Sequence, residues 1–155
     1  MGYSVDGFAD IHTILSNERK VGGAIEAKRI RLRTGEEFTN PVITNIDFSG
    51  STFYSVSFVT DQGESYVVNV QDISMMQSLT HCRVHEMKNT YYRPIKTEQR
   101  IRYLKKLCEI NEGSYTKIFR EEAAALIKDI GKEALRSTPI AAHIDYTENN
   151  VIQIA

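Results

Sequence analysis

The chain has no tryptophan, only two cysteines and three prolines, and no charge excess of either sign. Two thiols, Cys82 and Cys108, are too few for a disulfide framework. Without a secretory signal they read as reduced side chains that pack like small apolar residues. No apolar run approaches the ~18 residues of a membrane span, and the start, "MGYSVDGFADIHTILSNERK", lacks a basic region followed by an apolar one. Gly2 raises the myristoylation pattern, but Asp6 stands where that pattern needs Ser or Thr. A cytoplasmic setting with no membrane contact is expected. The 19 Lys and Arg against 20 Asp and Glu leave a net charge of −1, which excludes a globally basic binder. Any nucleic-acid surface must be a local patch.

Patterns that carry chemistry are equally scarce. "VGGAI" has paired glycines but no Lys-Ser/Thr after them, so it is not a phosphate loop, and no Gly-x-Ser-x-Gly, Cys-x-x-Cys or His-Glu-x-x-His occurs. Ser49, Ser51, Ser55 and Ser57 lie among aromatics as on the solvent face of a sheet, with no base in view. In "HCRVHE", His81, Cys82, His85 and Glu86 are all metal-competent. The alternation there predicts a strand, which holds His81 and His85 ~13 Å apart, too far for one zinc ion. The chain therefore reads as non-enzymatic, with no cofactor and no metal.

What is present is structural patterning, and it predicts one α+β domain over 1–155. Phe8, Ile11, Ile14 and Leu15 form a helical stripe within 6–19, with Asp6 placed to cap it, and "KVGG" breaks it. From 24 to 76 the period shortens to two. "AKRIRLRTGEEF", "FTNPVITNIDF", "TFYSVSFVT", "DQGESYVVNV" and "QDISMM" read as five short strands. Tyr54, Val56 and Phe58 share one face, Asp61-Gln62-Gly63 forms a hairpin turn, and Pro41 marks an edge or bulge. A sixth strand is predicted at 79–88, so that 24–88 makes a small curved antiparallel β-barrel. Helices follow over 97–136. The first is capped by Thr97 and apolar along Ile101, Leu104, Leu107 and Cys108. The second is capped by Ser114 and carries Tyr115, Ile118, Phe119, Leu126, Ile127 and Ile130. Residues 140–155 read as a strand pair about "TENN".

The order short helix, Gly-containing link, then "IRLRTGEEF…VITNIDF…YSVSFV…GESYVVNV…ISMM" resembles an Sm-like small β-barrel over residues 24–76. "LRTGEEF" is similar to that family's first hairpin, and Asp47 falls one residue late for its acidic position. The RNA-holding Asn of the family would lie near Ser51, and its Arg-Gly pair is replaced by Val70-Gln71-Asp72. The resemblance therefore implies a fold and does not bring the family's RNA contacts with it.

One charged stretch stands out. Residues 81–106 hold eight Lys and Arg against two Glu. In "KNTYYRPIKTEQRIRYLKK", Tyr91 and Tyr92 can stack on bases while Arg93 and Lys96 meet phosphates. The helical part is largely accounted for: Glu98 precedes Arg102 by four, Lys105 precedes Glu109 by four, and the Arg100 stem lies against the apolar stripe. The candidate ligand-binding residues are Lys88, Tyr91, Tyr92, Arg93, Lys96 and Lys106, concentrated in the 88–96 connector. Two partner classes follow. One is nucleic acid or another phosphate-bearing ligand held by that connector. The other is a protein partner, met by an interaction or inhibitor module that pairs through barrel edge strands, with homo-oligomerisation expected.

Overall fold

A computed structural model of the chain describes residues 3–113, 116–136, 138, 144–146 and 152–154. The fold is α+β with antiparallel sheets, as the patterning predicts. Its described part forms two compact units, Met1–Pro94 and Ile95–Ala155, taken here in turn.

The first unit opens with β1 (Tyr3–Ser4), α1 (Phe8–Ser16) and the single turn α2 (Glu18–Val21). The α1 stripe is as expected: Ile11 is fully buried and Phe8, Ile14 and Leu15 pack around the same core. Asp6 does not cap it. Its own N–H donates instead to the Asp10 carboxylate at 3.0 Å, and Gly7 stands at the cap position in extended backbone. Gly22 and Gly23, both at φ 68°, end α2. Gly23 has a second constraint, because a Cβ there would collide with the Cys82 carbonyl.

Eight strands follow: β2 (Ala24–Glu26), β3 (Arg29–Leu32), β4 (Glu37–Thr39), β5 (Val42–Ser49), β6 (Thr52–Val59), β7 (Ser65–Asn69), β8 (Ile73–Gln77) and β9 (Thr80–Cys82). Their pairing traces a six-stranded sheet, β1-β9-β2-β5-β6-β7, and a three-stranded one, β4-β3-β8. Both enclose a core of Ile25, Ile30, Ile43, Ile46, Val56 and Phe58, onto which Phe38, Tyr66 and Met76 pack. Two bulges bend the long β5–β6 hairpin. One leaves Tyr54 as the extra residue, because Phe48 pairs with Phe53 while Asp47 pairs with Ser55. Phe53 therefore takes the core position predicted for Tyr54, which is exposed, while Val56 and Phe58 are fully buried as expected. Pro41 lies just before β5 rather than at a bulge.

The sixth predicted strand stops early. β9 ends at Cys82, and Val84–Glu86 form a 3-10 turn that buries Val84 and, after it, Met87. Sinking two apolar side chains only three residues apart into one pocket suits a turn and not a period-two strand.

The second unit begins inside α3 (Tyr92–Ile110) and continues with α4 (Lys117–Ile130) and α5 (Lys132–Arg136). Its core is Leu104, Phe119, Ala123, Leu126, Ile127, Ile130 and Leu135. Thr116 caps α4, its Oγ1 accepting the Phe119 N–H at 3.2 Å. The predicted Ser114 and Tyr115 lie outside the described residues, and Ile118, expected on the buried stripe, is exposed. Gly131 at φ 88° separates α4 from α5. The predicted terminal strand pair is present as β10 (Ile144–Tyr146) against β11 (Ile152–Ile154), antiparallel, with the "TENN" residues outside the description.

Candidate binding surface at the start of α3

The basic connector of the sequence is in fact the capped first turn of a helix. α3 starts at Tyr92, five residues before the predicted Thr97 cap. Pro94, which has no N–H to give the Thr90 carbonyl four residues before it, interrupts the ladder there, and the regular helix is counted from Tyr92 while Thr90 is exposed. The cap is Asn89, which is fully buried. Its Oδ1 accepts the N–H of Tyr91 at 3.1 Å and of Tyr92 at 2.8 Å, and its carbonyl accepts that of Arg93. Its Nδ2 donates to the Asn40 carbonyl at 2.8 Å and the Val59 carbonyl at 3.1 Å, which fixes the helix start to the loop before β5 and the end of β6.

Two carboxylates complete the arrangement. Glu26, buried at the end of β2, accepts the Lys88 N–H on both oxygens at 3.0 Å and the Asn89 N–H at 2.8 Å. Burial pushes the Glu26 carboxyl above its ordinary range, and the Asn89 and Lys88 N–H groups draw it part of the way back. Asp61, in the β6–β7 turn, accepts the Thr90 N–H at 2.7 Å and the Thr90 hydroxyl at 3.1 Å. Every backbone N–H from Lys88 to Arg93 is thus engaged by the protein itself. A phosphate here would find no free amide nest, because Glu26 and Asp61 already occupy the places an anion would take.

The six sequence-predicted residues separate accordingly. Lys88, Tyr91 and Arg93 are exposed. The Tyr91 ring lies on Gly63, where an added Cβ would stand 2.7 Å from the ring, and the Arg93 guanidinium donates to the Met87 carbonyl at 3.4 Å. Tyr92 is half-buried against a cluster of Ala24, Val42, Cys82, Val84 and Met87, and burial pushes its phenol up. It is a packing residue. Lys96 is buried within the second unit, close to the buried ion pair that Arg100 Nε makes with Asp129 Oδ2 at 3.1 Å. Burial first, and Arg100 second, pull the Lys96 amine down to about 8, with Asp129 opposing them. Arg100 also stands over the Tyr103 ring, whose hydroxyl donates to Glu122 at 2.8 Å. Lys106 is exposed on α3, ten residues beyond Lys96 and so about 15 Å along the axis. The sequence reading missed Asn89 and Glu26. The asparagine itself, a residue type favoured at a helix cap, was the available sign.

The metal-competent histidines are apart in role. His81 Nε2 bonds the Gly22 carbonyl at 2.7 Å and its ring meets Tyr3 edge-on, while His85 is exposed on the 3-10 turn. Among the described residues no group of three or more His, Cys, Asp or Glu could hold a metal ion, and no helix is long and apolar enough to cross a membrane. Compared with known proteins, the chain matches no family model, no curated protein and no solved structure.

Proposed function

We propose that this chain is a non-enzymatic binding module, working in a reducing, cytoplasmic setting, that associates through the free edge of β7 with a strand of a second copy. The β7 edge carries the reading. β7 is the outermost strand of the six-stranded sheet and has no neighbour beyond it among the described strands. The Thr60 N–H donates to the Glu64 carbonyl, so alternation along the ladder puts Tyr66 and Val68 in bonded pairs with β6. The N–H and C=O of Val67 then point outward, and its side chain is 70% exposed. Nothing in "SYVVN" protects this edge: it has no lysine, no proline and no inward charge. A chain with only two cysteines, one of them with its thiol donating to the Ala24 carbonyl inside the core, supports the reducing setting, and the bent antiparallel hairpins support the Sm-like reading of residues 24–76.

Size-exclusion chromatography with light scattering tests this. The wild type is expected to assemble and Val67→Pro, which removes only an outward donor, to be monomeric with an unchanged circular dichroism spectrum. A wild type that stays monomeric at micromolar concentrations sinks the reading.

A second reading is favoured by the three side chains left outward at the start of α3: Lys88, Tyr91 and Arg93 meeting a nucleic acid or another phosphate-bearing ligand. With the backbone amides engaged, such binding rests on side chains alone. It should weaken steeply with salt and disappear in Lys88→Glu/Arg93→Glu. Salt-independent affinity, or none, counts against it.

A further inference from the structure

We propose that the outward face of β3, where Arg29 and Arg31 share the single carboxylate Glu37, docks the phosphate backbone of a single-stranded nucleic acid. This site is separate from the β7 edge and from the start of α3. β3 is the central strand of its sheet, and its two faces are sharply different. Ile30 is fully buried in the core, while Arg29 and Arg31 project to solvent. Across the face Arg29 lies opposite Thr39 and Gln77, and Arg31 opposite Glu37 and Met75. A bulge at Ser74, whose hydroxyl donates to the Arg31 carbonyl at 3.1 Å, holds the strand in this register.

Glu37 is shared unequally. Arg31 donates from Nε at 2.7 Å and Nη2 at 2.6 Å to one carboxylate oxygen, and Arg29 Nε stands 3.7 Å from the other. Two guanidiniums carry about ten N–H donors between them, so one carboxylate leaves most unused. Both arginine side chains stay about two-fifths exposed. Over 28–37 the hairpin has four cations, Lys28, Arg29, Arg31 and Arg33, against Glu36 and Glu37. Arg29 and Arg31 are two strand residues apart, about 6.6 Å, close to the phosphate repeat of an extended single strand. The flanking Thr39, Met75 and Gln77 include no aromatic ring, so recognition is of backbone charge and independent of sequence. In the free protein Glu37 holds the place that a phosphate takes on binding.

Fluorescence anisotropy of a fluorescein-labelled oligothymidylate with the full chain tests this. Two phosphate contacts give a log–log salt slope on the order of −1.4, roughly a sevenfold loss between about 50 and 200 mM salt. Arg29→Glu/Arg31→Glu is expected to weaken binding at least tenfold. Glu37→Gln, which removes the competing anion, is expected to tighten it several-fold. That second result separates the proposal from a purely structural cross-strand trio, for which Glu37→Gln lowers the melting temperature and leaves binding unchanged. Should the charge-reversed pair fail to fold, Arg29→Gln/Arg31→Gln, checked by circular dichroism, is expected to weaken binding several-fold. No binding by the wild type, no tightening in Glu37→Gln, or loss confined to Lys88→Glu/Arg93→Glu would overturn it.

Discussion

A capping side chain ordinarily satisfies one orphan N–H, but Asn89 accepts two and also donates to two carbonyls from other parts of the first unit. Asn89→Ala therefore strands two acceptors and two donors at a buried point. It is expected to lower unfolding free energy by about 2–4 kcal/mol in urea denaturation, with an unchanged m-value. Lys96 gives a residue-scale prediction of a different kind. Its amine titrates near 8 when folded and at the ordinary 10.5 when unfolded. Below pH 8 both states are charged and the cost of burying that charge is felt in full. Between about 8 and 10.5 the folded state has released the proton that the unfolded state retains, so stability rises with pH across that window and is level above it. The rise attributable to Lys96 is on the order of 3 kcal/mol, and it should vanish from the stability profile of Lys96→Met. Sequence reading placed Lys96 on the surface because lysine usually belongs there. Its burial depends on Arg100 one turn on and Asp129 in another helix, a relation between distant residues that no local pattern encodes.

At the scale of elements, the regular pieces were legible wherever one periodicity ran unbroken. The α1 stripe, the β5–β6 and β6–β7 hairpins, the body of α4 and the terminal strand pair all follow from local spacing. The failures are at ends and interruptions. Thr97 and Asn89 are both acceptable caps, and the choice was made by buried acceptors at Asn40 and Val59 and a carboxylate on β2. α3 also resisted reading because its most buried positions, Lys96, Arg100 and Leu104, are mostly charged, so hydrophobic spacing misplaces its inner face. The Tyr54 bulge left no sign in the strict alternation of "TFYSVSFVT". Where the cap is an ordinary exposed one the arithmetic is simpler. Thr116→Ala removes the single bond to the Phe119 N–H and should cost about 1 kcal/mol, read as a lower midpoint of helix unfolding by circular dichroism.

For the whole molecule, composition conveys near neutrality with charge organised locally, and periodicity conveys the α+β class. What it could not convey is which basic residues end up sharing a surface. The densest run of cations in the sequence is taken apart by folding, with Tyr92 and Lys96 drawn inside and the backbone of 88–93 bonded internally. A shorter run, Lys28 to Arg33, gains coherence because a strand puts alternate residues on one side. The Val67 edge was likewise invisible until strand order was known, since every strand of a predicted sheet is a candidate for its margin. The assembly expected through β7 is therefore a prediction made by topology and not by composition.

The bonded backbone around Asn89 has a consequence for how this segment meets proteases. Lys88 is exposed and precedes an ordinary residue, so by sequence it is an inviting site for trypsin. Cleavage requires several residues to be drawn out into an extended form, and here that means breaking the contacts of Glu26, Asp61 and Asn89 together. Limited trypsinolysis should leave the Lys88–Asn89 bond intact until the unit unfolds globally, and its amides should exchange with deuterium at the rate of the core. In Asn89→Ala the same bond should become an early cut. A charged, outwardly accessible stretch would then prove to be among the slowest parts of the chain to open.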